Sequence, residues 1–303
     1  MPLQYRLKST FDYAHEDTIN CVAISPDGSH LASGSTDKKI IVWSLTLQEP
    51  VHRIVAHSAV LSLVWSSNSA RILCGTEDGT LLTISFDQAT ITASGFEGHP
   101  APIESLAINS QTNAQLASAA LSVVKVWFWK DTYSQWKLEG IVDDPGAILF
   151  TAEFRSEAPI RVTSLHWLST SPSNNHLVVS YLHHGVVCLA LNSGSFSVLW
   201  SLRLPFCISP DNKLLAVNDI THRFTLYKIP SGQKGLQFQV PLENIGLVLP
   251  IVFIHGGSGL VGGTSVGKVY EHCQEVRYSI VTGTRDRNLG HSHRQKDSGM
   301  VML

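Results

Sequence analysis

The sequence lacks any segment that could cross a membrane as a helix or direct secretion. Its longest apolar run, Ile245–Ile254, is interrupted by Pro250 and is too short to span a bilayer. Residues 1–10 lack the apolar core of a signal peptide, and no Asn-x-Ser/Thr glycosylation site occurs in the sequence. We therefore expect a cytoplasmic protein without a membrane partner, with the nucleus as the alternative location.

Cysteine and charge are also scarce. The five cysteines are scattered along the chain and never spaced as C-x-x-C, which favours a reducing compartment over a disulfide framework. Charged residues make up 15% of the chain, and 22 basic against 24 acidic side chains give a formal net charge of −2. This balance provides no electrostatic basis for binding nucleic acid, so we expect none as a partner.

The histidines do not predict a metal site, although the chain has 14 of them. His183 and His184 are adjacent, so in a strand their side chains would point to opposite faces. His291 and His293 lie in a polar C-terminal stretch without a third donor at ligand spacing. We therefore expect neither a metal nor another cofactor.

What the sequence does contain is short apolar segments separated by turn residues, most clearly near the N-terminus. Ile19–Ser25 alternates apolar and small side chains, as a half-buried strand does. Ser25–Gly28 reads Ser-Pro-Asp-Gly, in which proline sets φ at the first central position and glycine supplies a positive φ. Leu31–Ser35 and Ile40–Trp43 predict two further strands. Three short antiparallel strands do not bury their faces alone, so such a unit is expected to recur.

This stretch resembles a WD40 repeat, the unit of a β-propeller blade. In that family a histidine, a hydroxyl residue, an aspartate and a tryptophan form a hydrogen-bonded tetrad, and the matching positions are His15, Ser33, Asp37 and Trp43. A buried indole N–H needs an acceptor, a hydroxyl can provide it, and an Asp–His pair satisfies the remaining groups. The resemblance implies an all-β propeller of four-stranded WD40-like blades.

Two weaker repeats follow at the spacing near 40 residues that is typical of propeller blades. The second keeps His57 and Asp78, which are expected to pair. Cys74 stands at its hydroxyl position and Ile84 at its tryptophan position. The third opens with Gly98-His99 and has a short turn without aspartate, and its matching residues are Ser118 and Trp127.

Three more repeats complete the pattern. The fourth matches at Ser180, the fifth copies the first turn at residues 209–212, and the sixth covers Leu247–Cys273. We predict a WD40 propeller over residues 1–273 with six recognisable repeats. Its leading strand, residues 3–11, is expected to close the ring.

The remaining residues, 274–303, are predicted to form an irregular and disordered tail. Ile280–Asp286 echoes Leu31–Asp37 but no third strand follows it, so a truncated seven-bladed ring is an alternative. The first and sixth repeats are also similar to a group of uncharacterised fungal WD40 proteins.

One stretch has the spacing of a hydrolase motif. Gly263–Gly267 fits the Gly-x-Ser-x-Gly nucleophile elbow with Ser265 as the nucleophile, and His255–Gly259 resembles an esterase oxyanion motif. An elbow requires a helix after the serine, whereas Lys268–His272 predicts a strand. Glycine-rich turns explain both motifs, so we expect no enzymatic activity, with a propeller hydrolase as the minor alternative.

The resemblance also implies where partners bind, because WD40 proteins often use the residues around the strand entrances on one face of the propeller. Positions three and five residues after each histidine and one before each aspartate are the candidates: Thr18, Asn20, Thr36, Val60, Ser62, Glu77, Pro102 and Glu104. Alignment of the fourth repeat adds Arg161, Thr163 and His183. We predict a non-enzymatic protein-interaction scaffold or adaptor without a small-molecule substrate. A regulatory or sensor domain of a larger multidomain protein is the alternative.

Overall fold

The predicted all-β fold of WD40-like β-propeller blades is confirmed. The computed structural model describes residues 9–11, 14–87, 90–130, 135–142, 159–168, 176–182, 184–192, 195–202, 206–209, 211, 213–219, 223–229, 233–239, 251–254, 257, 259–263, 269–273 and 300–302. In these residues six consecutive antiparallel sheets, five of four strands and one of three, follow the order of the six predicted repeats.

The chain divides into two compact units, and the first comprises Ser9–Ser201 with Asp297–Val301. It contains four blades, each a meander of neighbouring strands. Blades 1 and 2 consist of β2 (Ile19–Ile24), β3 (His30–Ser35), β4 (Lys39–Ser44), β5 (Glu49–Val55), β6 (Val60–Trp65), β7 (Arg71–Thr76), β8 (Thr80–Phe86) and β9 (Ile91–Glu97). Blades 3 and 4 consist of β10 (Ser105–Ile108), β11 (Gln115–Ala120), β12 (Val123–Lys130), β13 (Gln135–Val142), β14 (Val162–Leu168), β15 (His176–Tyr181), β16 (Gly185–Asn192) and β17 (Ser195–Leu202).

The second unit comprises Met1–Lys8, Leu202–Lys296 and Met302–Leu303. Its two sheets follow the same meander order. Their strands are β18 (Phe206–Ile208), β19 (Leu214–Asp219), β20 (Arg223–Lys228), β21 (Lys234–Gln239), β22 (Ile251–Ile254), β23 (Gly259–Gly263) and β24 (Val269–Cys273). Its core contains Cys207, Ala216, Leu226, Phe253 and Leu260.

One short sheet joins the two ends of the sequence. In it β1 (Ser9–Phe11) pairs with β25 (Met300–Met302). Residues 3–8 of the predicted leading strand and residues 274–299 of the predicted tail lie outside the described residues. Phe11 is buried, and its ring contacts the ring of Trp43 edge-on at 5.2 Å between centroids.

The turn sequence that recurs in the first and fifth blades makes the same serine–aspartate hydrogen bond in both places. In blade 1 the hydroxyl of Ser25 donates to the carboxylate of Asp27 at 2.5 Å, and Gly28 has φ +71°. In blade 5 the hydroxyl of Ser209 donates to the carboxylate of Asp211 at 2.6 Å. The short side chains satisfy the turn locally, which is why this tetrapeptide marks the end of a first strand.

Neighbouring blades of the first unit pack face to face, and tryptophans of the first strands tie them together. The indole N–H of Trp65 donates to the carbonyl of Ala23 in blade 1 at 3.0 Å. The indole N–H of Trp167 donates to the carbonyl of Ala107 in blade 3 at 3.1 Å. Each bond satisfies a buried donor while the ring fills the space between two sheets. Such bonds join blade 1 to blade 2 and blade 3 to blade 4.

Candidate functional site

The four residues matched to the WD40 tetrad form one chain of hydrogen bonds in blade 1. The indole N–H of Trp43 donates to the Ser33 hydroxyl at 2.9 Å, and this hydroxyl lies 2.8 Å from Nε2 of His15. Nδ1 of His15 lies 3.1 Å from the carboxylate of Asp37. Ser33 therefore donates to Nε2, and Nδ1–H donates to Asp37. The tetrad fixes the segment before the first strand to the turn after the second.

Electrostatics keeps this histidine neutral and this aspartate charged. Burial alone would raise the pKa of Asp37, but hydrogen bonds from the backbone N–H groups of Glu16 and Lys39 and from His15 bring it below its usual value. Burial lowers the pKa of His15, against the opposing effect of Asp37. A neutral imidazole has one donor and one acceptor nitrogen, which is what the tetrad requires.

Blade 3 contains the same bonds without the carboxylate. The indole N–H of Trp127 donates to Ser118 at 2.8 Å, and the Ser118 hydroxyl lies 2.8 Å from Nε2 of His99. The turn between β11 and β12 has only two residues, and Leu121 in this turn has φ +54°. Nδ1 of His99 is buried and has no hydrogen-bond partner among the described residues.

Acid is expected to destabilise the protein through His99. Burial, with a smaller contribution from Lys125, lowers the pKa of His99 to about 4, below the value of about 6.5 in an unfolded chain. Between these values the unfolded state binds a proton that the folded state does not, so stability falls as the pH falls. From about pH 7 to about pH 5 we expect the parent to lose about 2 kcal/mol more unfolding free energy than His99→Gln.

Urea denaturation at the two pH values measures this difference. The matched control is His57→Gln, which changes an exposed histidine and should follow the parent. Equal losses in the parent and in His99→Gln would contradict the assignment of the acid sensitivity to His99.

In blade 2 the predicted Asp–His pair is wrong. Asp78 instead accepts a hydrogen bond from the Thr76 hydroxyl at 2.6 Å and another from the backbone N–H of Thr80 at 3.1 Å. The His57 side chain is exposed. Because Cys74 supplies no hydroxyl and Ile84 replaces the tryptophan, His57 has no hydrogen-bond partner within the part of the chain that the structure describes. Asp78 therefore stabilises only its own turn.

The hydroxyl position predicted for blade 4 is also wrong by one residue. In blade 4, Ser180 pairs with Ser164. The corresponding pair in blade 1 is Gly34 with Cys21, so Ser180 matches Gly34 and not Ser33. Successive strand residues point to opposite faces, so Ser180 is on the face away from the tetrad position. That position belongs to Val179, which is fully buried. Blade 4 consequently packs without a tetrad.

The candidate partner-binding residues lie on a surface that we call the rim. It consists of the segments that open the first strands of blades 1–4 and the turns between their second and third strands. Main-chain hydrogen bonds of 2.8–3.0 Å join the segment to the turn in three blades, and their donor and acceptor residues are Thr36 and Thr18, Glu77 and Ala59, and Leu182 and Arg161. These bonds fix the backbone of the rim within blades 1, 2 and 4.

Side chains of the rim also connect neighbouring blades. The amide of Asn20 donates to the Thr36 hydroxyl at 3.0 Å and to the carbonyl of Val60 in blade 2 at 2.9 Å. The Ser62 hydroxyl donates to the carbonyl of Ile103 in blade 3 at 2.8 Å. Two of the candidate binding residues thus hold adjacent blades together, a role that sequence spacing does not reveal.

An ion pair makes the connection from blade 3 to blade 4. The guanidinium of Arg161 binds Glu104 through Nε at 3.0 Å and through a second nitrogen on the other carboxylate oxygen. Both side chains remain partly accessible, with 48% of Arg161 and 36% of Glu104 exposed. Hydrogen bonding to Glu104 raises the pKa of Arg161. This ion pair spans two blades of the rim and remains accessible to solvent.

The structure corrects the candidates of blade 2. Val60 is fully buried and Ser62 is 7% exposed, so neither side chain faces a partner. The serine that follows the first strand, Ser66, comes nine residues after His57 in blade 2, whereas Ser25 comes ten residues after His15 in blade 1. Positions counted from the histidine are therefore displaced by one residue in blade 2. The residues that correspond to Thr18 and Asn20 are Ala59 and Leu61.

The remaining candidate partner-binding residues differ in how far their side chains are exposed. Exposed side chains are found at Thr18, Asn20, Thr36, Glu77, Glu104, Arg161 and Thr163, and Pro102 is half-buried. Thr163 also donates to the Ser180 hydroxyl at 2.9 Å. His183 lies outside the described residues.

The hydrolase motif lacks the structural context that it requires. Ser265 lies outside the described residues, but Val269–Cys273 after it is a strand that pairs with Gly263–Gly259 in antiparallel register. A nucleophile elbow leads from a strand into a helix. Across the described residues we find neither a group of three potential metal ligands nor a helix long and apolar enough to cross a membrane.

Comparison with known proteins identifies the repeats. The family described as WD domain, G-beta repeat (WD40) matches residues 6–44 and 48–82. Similar proteins include the pre-rRNA-processing protein IPI3 of Mycosarcoma maydis, 32% identical over 97 residues that cover 29% of this chain and 16% of the relative. The ribosomal RNA-processing protein 9 of Saccharomyces cerevisiae is 38% identical over 77 residues, which are 24% of this chain and 13% of the relative.

A third relative is the small ribosomal subunit protein RACK1y of Oryza sativa subsp. japonica, 38% identical over 64 residues that cover 21% of this chain and 19% of the relative. In each case the match spans less than a fifth of the relative's length. The residues that the family model matches lie in blades 1 and 2 and include the complete tetrad of blade 1. Residues 6–44 and 48–82 are therefore WD40 repeats, and the four-stranded antiparallel sheets have the form of WD40 blades.

Proposed function

We propose that the protein is a non-enzymatic interaction scaffold that binds partner proteins on the rim of blades 1–4. The observation that carries the proposal is the combination of a fixed backbone with accessible side chains. Main-chain bonds join the opening segment to its turn in blades 1, 2 and 4, and side-chain bonds connect one blade to the next. The exposed groups are therefore held in place before a partner arrives. Preorganised groups lose little conformational entropy on binding.

The names of the relatives favour a partner within a particle that processes or contains ribosomal RNA. Those names come from pre-rRNA processing, ribosomal RNA processing and the small ribosomal subunit. Such a particle would place the protein in the nucleus or on ribosomes. On the rim the charges of Glu104 and Arg161 cancel, which suits recognition of a protein surface rather than a phosphate backbone.

Removing the ion pair between Glu104 and Arg161 is expected to weaken partner capture without unfolding the protein. The double variant Glu104→Ala, Arg161→Ala leaves no unpaired charge, and an exposed ion pair contributes about 0–1 kcal/mol to stability. We expect a thermal midpoint within a few degrees of the parent. Affinity purification from the native cells with quantitative mass spectrometry should show loss of the proteins that the parent captures.

A reversed pair and an off-rim variant are the controls. Glu104→Arg combined with Arg161→Glu keeps the ion pair but exchanges the positions of its two charges. If this variant is as stable as the parent but no longer captures its partners, these two side chains take part in recognition. Lys130→Ala changes an exposed residue outside the rim and should capture the parental set. Identical capture profiles for all variants would remove this part of the rim from consideration.

The second candidate function is that of a domain within a larger polypeptide. It is favoured because the matches span less than a fifth of the length of each relative described above. In that case the rim would act as a regulatory or sensor surface for domains elsewhere in the polypeptide. The intact mass of the native product distinguishes the two, since a scaffold that acts alone should have the mass of this sequence.

A further inference from the structure

The outer strand of blade 2 presents an edge that is open for pairing. β9 (Ile91–Glu97) is the last strand of its sheet. It pairs with β8 without interruption, from Phe86 opposite Ile91 to Thr80 opposite Glu97. Six of its seven residues are exposed, and Phe96 is half-buried. The far edge of such a strand carries N–H and C=O groups that can pair with another chain.

The outer strands of blades 1 and 3 carry features that block such pairing, and β9 does not. In blade 1, β5 contains Pro50 and Arg53 and its ladder is interrupted by a bulge. In blade 3, β13 contains Lys137 and Glu139, and its ladder is interrupted as well. Proline, inward or flanking charges and bulges are the means by which proteins protect sheet edges. β9 has no proline, no basic residue and no bulge, and its single charge is its last residue.

We propose that β9 pairs in antiparallel orientation with β9 of a second copy of this chain, centred on Ser94, so that two blades join into one eight-stranded sheet. A two-fold axis requires a surface that complements itself. In this register Ser94 faces Ser94, Ala93 faces Gly95, and Glu97 faces Ile91. The two Glu97 carboxylates lie at opposite ends of the paired strands, about 20 Å apart, so no like charges meet.

Composition supports a second copy as the occupant. The central residues, Ala93–Gly95, are small and uncharged, so two strands can approach to the spacing of about 4.8 Å that a ladder requires. The paired strands are short, so the dimer is expected to be concentration-dependent. This pairing does not involve the rim, and it would present two rims on one particle, which raises avidity for a partner with two binding sites.

Sedimentation velocity of the full chain over a range of concentrations tests the pairing. Ser94→Lys would place two ammonium groups opposite each other, and Ser94→Asp would place two carboxylates there, so each variant alone should dimerise at least about tenfold more weakly than the parent. An equimolar mixture of the two should recover the affinity of the parent to within about threefold, because lysine then faces aspartate. Recovery in the mixture is a result that a merely misfolded variant would not give.

The matched control is Val55→Lys, which adds the same charge to the outer strand of blade 1 at a residue that is 74% exposed. It should dimerise like the parent. Cross-linking tests the register independently: with oxidised glutathione as the oxidant, Ser94→Cys should form an intermolecular disulfide and Ile91→Cys should not, because only the first pair of Cα atoms lies within about 7 Å. A parent that remains monomeric up to about 100 μM, or a mixture that does not recover, would overturn the proposal.

Discussion

Gly79→Ala is expected to lower the free energy of unfolding by about 3 kcal/mol. Gly79 lies in the turn of blade 2 and has φ +83°. A Cβ added there would lie 1.9 Å from the carbonyl oxygen of His99 in blade 3. The left-handed backbone conformation accounts for about 1 kcal/mol of the loss, and the forced separation of the two backbones for about 1–3 kcal/mol more.

Gly28→Ala is the matched control. Gly28 also has a positive φ, +71°, but a Cβ added there would meet no atom within 4 Å. We therefore expect it to lose only the conformational part, about 1 kcal/mol. Denaturation in urea at neutral pH measures both. If the two alanine variants lost the same stability, the contact between the turn of blade 2 and the backbone of blade 3 would not contribute to the fold.

The sequence predicts the blades because local signals repeat. Short strands, the Ser-Pro-Asp turn and the tetrad in blade 1 all lie within one repeat, so spacing alone places them. The resemblance implies fourth strands in blades 1 and 2, but the residues themselves do not mark where these strands lie. β5 and β9 are exposed on most of their length, and a strand without a buried face has no apolar alternation to recognise.

Positions on the rim were less predictable than the strands, because they depend on the exact length of each opening segment. One missing residue before the first strand of blade 2 moves Ser62 from the expected surface position into the interface with blade 3. An alignment error of one residue in the second strand of blade 4 likewise places Ser180 on the face opposite the tetrad position. Successive side chains of a strand point to opposite faces of the sheet. An alignment error of one residue therefore exchanges a buried side chain for an exposed one.

Contacts between blades lay beyond sequence reasoning altogether. Glu104 and Arg161 are 57 residues apart, and the hydroxyl of Ser62 reaches a carbonyl 41 residues away. No local pattern encodes such pairs, because they exist only after two blades have packed. The rim therefore combines two roles: some of its exposed side chains also hold the scaffold together. A variant there must be tested for stability before a loss of binding is assigned to recognition.

Ser33→Ala is expected to lower the free energy of unfolding by about 3 kcal/mol. The Ser33 hydroxyl is fully buried and is the shared partner of the Trp43 indole N–H and of Nε2 of His15. Its removal leaves a buried donor and a buried acceptor without partners, and each unsatisfied group costs about 1–3 kcal/mol.

Ser180→Ala separates the effect of the tetrad from that of a buried serine in general. Ser180 is 2% exposed but accepts a single side-chain hydrogen bond, from Thr163, whose own side chain is exposed and can bind water instead. We expect a loss of about 1 kcal/mol, measured by the same urea denaturation. The difference between the two variants reports what the tetrad adds to blade 1, the blade in which it is complete. Equal losses would mean that the hydrogen-bonded chain of His15, Ser33, Asp37 and Trp43 stabilises its blade no more than an ordinary buried hydroxyl does.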